Sequence, residues 1–167
     1  VSKIYEDAKR RENVLDYDDV LFRFDSMLND PRAREFMMMR WRMVLVDEYQ
    51  DTNAVQESIL KKIAGGHRNI TCVGDDDQSI YSFRHADVTN ILDFESRWPG
   101  ATIVRLQQNF RSTASILGAA NRLIAHNVMR HGKTLVATRE PGPEITCRGF
   151  TNGPAEADEV GRGIVNL

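Results

Sequence analysis

Apolar side chains recur at helical spacing through residues 1–40. Tyr17, Val20, Leu21, Phe24 and Leu28 form one stripe, Asn29-Asp30-Pro31 interrupts it, and a second segment carries Phe36 and Met37. The pattern changes after Trp41. Met43-Val44-Leu45-Val46 is a continuous apolar run ending in two acids, which predicts a strand buried on both faces of a parallel sheet. Val55, Ile59, Leu60 and Ile63 then fall on one helical face, and Gly65-Gly66 ends that helix.

The alternation continues. Ile70-Thr71-Cys72-Val73 predicts a strand, Gly74 a turn, and Ile91, Leu92, Phe94, Glu95 and Trp98 a helix closed by Pro99-Gly100. Thr102-Ile103-Val104-Arg105-Leu106 predicts another strand. Ser112 or Thr113 is placed to cap a helix with the stripe Ile116, Leu117, Ala120, Leu123 and Ile124. Gly132 to Pro143 has the composition of a connection, followed by a strand from Ile145 to Phe150 and a last helix bearing Val160, Ile164 and Leu167. Strands alternating with helices imply an α/β fold, a parallel sheet flanked by helices and joined by right-handed crossovers. The chain has no internal repeat and no low-complexity tract.

A length of 167 residues suits one domain with a real core, or parts of two. With 41% hydrophobic residues, 28% charged and a net charge of −2, the composition excludes collagen-like, disordered and strongly basic classes, so any nucleic-acid contact is local. Cys72 and Cys147 lie far apart with no second cysteine or histidine at metal-ligand spacing, which argues against zinc and a disulfide framework and for a reducing cytoplasm. No apolar run is long enough to span a membrane. The opening Val1-Ser2-Lys3-Ile4-Tyr5-Glu6 resembles neither a signal peptide nor a natural start, so the chain is expected to be an internal excerpt.

The first candidate chemistry is Asp47-Glu48. At the C-terminal edge of a parallel sheet one carboxylate can hold Mg²⁺, usually through water, while its neighbour deprotonates an attacking water. Two acids solvating a strand end is the plainer alternative. The second is Val73-Gly74-Asp75-Asp76-Asp77-Gln78-Ser79-Ile80-Tyr81-Ser82-Phe83-Arg84, a glycine turn followed by acids, an amide, aromatics and an arginine. A neutral amide such as Gln78 can bond both a phosphate oxygen and a water. Tyr81 and Phe83 either pack in a core or offer faces for base stacking, worth ~1–3 kcal/mol per base. Met37-Met38-Met39 is taken as packing, the histidines His67, His126 and His131 as solvated, and Lys9-Arg10-Arg11 as a solvated helix face.

Three segments together resemble superfamily-one DNA helicases of the UvrD/Rep (PcrA-like) type. They are Asp47-Glu48-Tyr49-Gln50-Asp51-Thr52-Asn53, Gly74-Asp75-Asp76-Asp77-Gln78-Ser79-Ile80-Tyr81, and Leu106-Gln107-Gln108-Asn109-Phe110-Arg111-Ser112, similar to that family's motifs II, III and IV in order and spacing. Leu15-Asp16-Tyr17-Asp18-Asp19-Val20-Leu21 resembles the segment that precedes motif II, and the likeness covers nearly the whole chain. It implies a RecA-like P-loop NTPase motor fold, in part, with the start of a second RecA-like domain. Residues 1–40 would be a helical lead-in, 41–110 the later part of the first motor domain, and 111–167 the opening of the second.

The resemblance also implies roles. Asp47 would hold Mg²⁺, Glu48 would be the general base, Gln78 the γ-phosphate sensor, and Arg111 an arginine finger. Phe110 would stack on the adenine of ATP, Phe83 and Tyr81 on single-stranded DNA bases, and Gln50 and Arg84 would couple the two sites. Phe83 stands where the family usually has tryptophan, Phe110 where it has tyrosine, and His85 where it has glycine. The implied activity is ATP-driven 3′–5′ movement on single-stranded DNA with unwinding of partly duplex DNA, in DNA repair or replication, with repair or replication proteins as partners. A helicase–nuclease subunit and a non-catalytic binding module derived from a helicase are the alternatives. The former tends to show Gly-Asp-Pro-Lys-Gln where this chain has Gly74-Asp75-Asp76-Asp77-Gln78, and the latter has no physical need for Asp47, Glu48, Gln78 and Arg111 together. Gly132-Lys133-Thr134 lacks the earlier glycine of a phosphate-gripping loop, Asn127 standing there, and follows a predicted helix. This excerpt alone is therefore expected to be inactive as an ATPase.

Overall fold

The computed structural model describes residues 2–165, which fall into two compact units: the chain up to Arg105 together with Asn127–Gly132, and Leu106–His126 with the chain from Lys133 onward. The first unit opens with α1 (Ser2–Glu12), α2 (Tyr17–Met27) and α3 (Pro31–Arg40). A capping box starts α2, with the Asp16 carboxylate accepting from Asp19 N at 2.8 Å and the Asp19 carboxylate from Asp16 N at 3.1 Å. Asp30 caps α3 ahead of Pro31, which is why Asn29-Asp30-Pro31 breaks the helical run. In α2, Leu21 and Phe24 pack on the core with Leu28 just beyond, whereas Tyr17 and Val20 of the predicted stripe are exposed.

Lys9 corrects the expectation of a solvated basic face. It is buried, and its ammonium lies 2.8 Å from Asp19, 2.9 Å from Asp16 and 2.9 Å from Glu6, against the Tyr5 ring; only Arg10 and Arg11 remain exposed. The capping carboxylates that start α2 are what make burial of this lysine tolerable. The Lys9 ammonium holds the Asp16 carboxyl down at about 2, from an ordinary 3.8. A depressed carboxylate stabilises the fold above its unfolded pKa and loses that contribution as pH falls through the folded one. An acid titration followed by helical circular dichroism is therefore expected to show loss of the α1–α2 junction as pH falls from about 4 toward about 2. Lys9→Met should remove that dependence.

The next elements form a strand–helix–strand unit. β1 (Val44–Val46) pairs in parallel with β2 (Ile70–Cys72), in the register Val44 with Ile70, Leu45 with Thr71 and Val46 with Cys72, and α4 (Ala54–Ala64) joins them. Asn53 starts α4 by a capping box with Gln56, and the helix ends where Gly65-Gly66 follows. Leu28, Ile59 and Ile63 form the buried core, with Leu21, Phe24, Met37, Val44 and Val55 against it; full burial of each such side chain is worth about 1.5–3 kcal/mol. The strand is not buried on both faces, contrary to its apolar run. Leu45 is 69% exposed, because helices cover only the face that carries Val44 and Val46.

Beyond β2 come two single turns of 3₁₀ helix, Asp76–Gln78 and Ser82–Arg84. The single helix predicted around Ile91 to Trp98 is instead two short pieces, α5 (Thr89–Leu92) and α6 (Phe94–Arg97). Asp93, between them, leaves helical geometry at φ −98°, ψ 21°.

In the second unit β3 (Gln108–Asn109) pairs in parallel with β4 (Val136–Ala137), across α7 (Ala114–Ile124), which Thr113 precedes as N-cap. Asn121 of α7 fixes the return, bonding Leu135 O at 2.9 Å and Leu135 N at 3.2 Å. Three expectations are corrected here. Thr102–Leu106 is not a strand, since pairing begins only at Gln108 and Val104 and Leu106 are left exposed. Residues 145–150 form no strand either, because no partner strand lies beside them among the described residues and Ile145 and Phe150 are exposed. The connection predicted from Gly132 to Pro143 contains β4. The last helix, α8 (Gly153–Val165), carries Val160 and Ile164; Leu167 lies outside the described residues. No helix among the described residues is long and apolar enough to cross a membrane.

Candidate functional site

β1 delivers Asp47 and Glu48 to the end of the parallel pair. Val73 N donates to Val46 O at 2.8 Å and Tyr49 N to Val73 O at 3.0 Å, so both strands carry their chains forward side by side into the loops that follow. Ligands of open α/β sheets bind outside this carboxyl edge. Glu48 sits in the left-handed region at φ 50°, ψ 44°, a conformation that costs a non-glycine residue about 1–2 kcal/mol. Such outliers persist where the surroundings impose them, and they gather at functional sites. What imposes this one is a set of hydrogen bonds. Asp47 Oδ1 accepts from Glu48 N at 3.0 Å, and Gln50 Nε2 donates to Glu48 Oε2 at 2.7 Å.

Gln50 is the pivot. Only 1% exposed, it also accepts at Oε1 from Asp75 N at 2.9 Å, tying the β1 loop to the β2 loop. The Asp75 side chain then caps the turn that bears Gln78, accepting from Asp77 N at 3.0 Å and from Gln78 Nε2 at 2.7 Å. A continuous relay therefore runs from the Glu48 carboxylate through Gln50 and Asp75 to the Gln78 amide. A buried amide that uses both ends in this way holds two loops in one register.

Gly74 is required for that approach. A Cβ there would lie 2.7 Å from Gln50 Oε1, 2.9 Å from Ile91 Cδ1 and 3.1 Å from Tyr49 N. Gly74→Ala is therefore expected to destabilise the protein by about 1–3 kcal/mol, seen as a lower denaturant midpoint, and to break the Gln50–Asp75 link. An unchanged midpoint would show that the two loops can part without cost.

Tyr49 and Thr52 anchor the loop from beneath. The buried Tyr49 hydroxyl donates to Glu57 Oε2 at 2.6 Å; burial first and the Glu57 carboxylate second push its pKa upward. Thr52 Oγ1 donates to Tyr49 O at 2.7 Å, and the buried Asn90 amide donates to Thr52 O at 3.0 Å. Asp51 is raised by burial and by the charge of Glu48. A cleft of about 470 Å³ opens beside Asp47, Glu48 and Asp51, bordered also by Leu21, Phe24 and Gln56. Among the described residues no cluster of three or more His, Cys, Asp or Glu side chains is placed to hold a metal ion. One exposed carboxylate at a strand end is nonetheless the donor set that suits Mg²⁺, which keeps several waters and is shared with substrate phosphates rather than caged by protein. The residues present fit that ion.

Phe83 is 72% exposed, so it is not a core residue, and Tyr81 is also exposed. Their centroids lie 5.9 Å apart, and the Arg84 guanidinium lies 5.5 Å from the Tyr81 ring and 5.6 Å from the Phe83 ring, which restrains both faces. His85 follows at φ 65°, where glycine would meet no penalty. Phe110 and Arg111 belong to the second unit. Phe110 is 72% exposed, and Asn109 shapes its turn by accepting from Arg111 N at 3.0 Å and Ser112 N at 2.8 Å, while Arg139 donates to Arg111 O at 2.7 Å. Gly132-Lys133-Thr134 lies in a loop between α7 and β4, ahead of a strand rather than after one.

Asp75 as a cap, Asn90 as an anchor and Arg130 (below) were not singled out from sequence. Asp75 carried a usable signal, an acid directly before a one-turn helix. Asn90 and Arg130 act over 38 and 53 residues of sequence, and nothing local marks them.

The sequence matches the UvrD/REP helicase N-terminal domain family over residues 1–99 and the UvrD-like helicase C-terminal domain family over residues 104–167. It is 46% identical, over 98% of its length and 26% of the relative's, to a protein of Rickettsia felis named as a probable DNA helicase II homolog. It is 42% identical to DNA helicase II of Escherichia coli, over 99% of the chain and 23% of that protein, and 40% identical to the ATP-dependent DNA helicase PcrA of Bacillus subtilis, over 87% and 20%. The chain thus spans about a quarter of the length of the curated relatives it matches.

Proposed function

This chain belongs to the UvrD/REP helicase family, and on that premise we propose that it carries the water-activating and nucleotide-sensing residues of an ATP-driven DNA motor. The observation that carries the proposal is the relay from Glu48 through Gln50 and Asp75 to Gln78, which ties the carboxylate at one strand end to the amide on the next loop. Its fold is part of a RecA-like motor, with residues 1–40 leading in, 41–110 in the first motor domain and 111–167 opening the second.

ATP is the substrate. Asp47 would hold Mg²⁺, largely through water, and the ion would supply positive charge to offset that of the phosphates. Glu48 accepts the proton of the attacking water as its oxygen bonds to the γ-phosphorus and the bond to the bridging oxygen breaks. Gln78 reports whether the γ-phosphate is present, and Gln50 passes that state between the loops. Phe110 stacks on the adenine, and Arg111 stabilises charge on the transferring phosphoryl group. Phe83 and Tyr81, braced by Arg84, stack on bases of single-stranded DNA. The motor moves 3′ to 5′ on single-stranded DNA and opens partly duplex DNA, in cytoplasmic repair or replication, alongside proteins of those processes.

Strand displacement by the intact protein tests this proposal. Duplexes with a 3′ single-stranded tail should be opened in the presence of ATP and Mg²⁺, and duplexes with only a 5′ tail should not. Opening of neither would overturn the motor assignment, and opening of the 5′-tailed substrate alone would overturn the direction.

A further inference from the structure

The turn bearing Gln78 is held on its other side by a strap. Asn127–Gly132, the connection between α7 and β4, packs with the first unit although both flanking elements belong to the second. Arg130 meets Asp77 in a two-pronged pair, Nε to Oδ1 at 2.8 Å and Nη2 to Oδ2 at 2.7 Å, with side chains only 14% and 12% exposed. Next to it, His131 N donates to Asp76 Oδ2 at 2.8 Å. The strap thereby addresses the carboxylates of Asp76 and Asp77, just ahead of Gln78.

That turn needs outside support. Asp76–Gln78 is a single 3₁₀ turn, and one isolated turn has too few internal hydrogen bonds to hold its own shape. Asp75, Asp76 and Asp77 also repel one another, and they would repel a polyphosphate brought close. A planar, permanently charged fork corrects both faults at once: it fixes the Asp77 carboxylate in orientation and cancels one negative charge at low exposure.

We propose that Arg130 is a positioning residue for the nucleotide-sensing loop, acting through its two-pronged pair with Asp77 to keep Gln78 in the register that the Glu48–Gln50–Asp75 relay requires. The inference rests on the reading of Gln78 as the γ-phosphate sensor. Arg130 acts on Gln78 through Asp77.

The test uses the intact protein at saturating single-stranded DNA, comparing Arg130→Ala, Arg130→Lys, Gln78→Ala and the double variant Arg130→Ala/Gln78→Ala. Arg130→Ala should lower kcat for ATP hydrolysis per folded molecule roughly 10- to 100-fold, the scale of a misplaced reacting group, with KM for ATP little changed and the unfolding midpoint lowered by loss of the Asp77 pair. Arg130→Lys, which keeps the charge and loses the fork, should recover part of that kcat. In the Gln78→Ala background, Arg130→Ala should add little, because the two act through one element. A kcat for Arg130→Ala within about twofold of wild type per folded molecule, or losses that multiply in the double variant, would overturn the inference. If Arg130→Ala does not fold, Arg130→Lys alone and combined with Gln78→Ala is judged by the same two criteria. Should Gln78→Ala itself leave kcat unchanged, the sensor reading falls and takes the inference with it. If Gln78→Ala is impaired and Arg130→Ala is not, only the inference fails.

Discussion

Arg111→Ala in the protein that carries this chain is expected to lower ATP turnover at saturating DNA by about 10³-fold or more, the scale of a lost arginine finger. The turn that presents Arg111 is held at both ends of that residue's backbone, its N–H bonded to Asn109 and its carbonyl to Arg139, while the side chain itself is exposed. In the proposed role, a guanidinium so exposed is open to phosphate oxygens. Arg111→Lys should recover little of the loss, because an ammonium cannot reproduce the planar fork. Nucleotide affinity, followed by fluorescence of a bound ATP analogue, should fall far less than turnover. A loss below about tenfold in turnover would reduce Arg111 to a surface charge.

Glu48→Gln is expected to cost about 10²–10⁴-fold in turnover while leaving nucleotide binding in place. The substitution isolates the proton-accepting role. A glutamine at this position keeps a carbonyl oxygen to accept from Gln50 Nε2, and it inherits the same left-handed backbone, so shape and relay are retained. Only the capacity to take a proton disappears. Turnover within about twofold of wild type would show that the attacking water is activated elsewhere.

Much of the scaffold was legible from sequence, because its signals are local. An apolar run ending in Asp47-Glu48 did become a strand, its partner Ile70–Cys72 did pair in parallel across a helix, and the α4 face built on Ile59 and Ile63 did form the core. Strand burial was another matter. Leu45 has the apolarity of a residue covered on both sides, yet coverage depends on what packs above it, and that information is not in the run itself. Thr102–Leu106 failed in a related way. A β-prone segment becomes a strand only when a neighbour offers a ladder, and here pairing begins two residues later at Gln108–Asn109.

The site divides along the same line. Asp47 and Glu48 stand out as acids at a strand end and Gln78 as an amide beyond a glycine turn, whereas Gln50 is marked only by the family resemblance; Glu48, Gln50 and Gln78 prove to be joined in one relay with Asp75. Sequence gave no warning that Glu48 is left-handed, since only the surrounding bonds impose that geometry. Lys9 was misjudged because its partners, Asp16 and Asp19, are supplied by the cap of the next helix. The left-handed backbone of His85 explains why glycine would suit that position, and it leaves the exposed Phe83 and Tyr81 rings in place just before it.

The most direct test of the central claim is steady-state ATP turnover by the intact protein with and without single-stranded DNA, for wild type beside Glu48→Gln. Turnover that rises with DNA in the wild type and is lost in Glu48→Gln, with nucleotide still bound, is the predicted result. Turnover that ignores DNA, or that survives in Glu48→Gln, would contradict it.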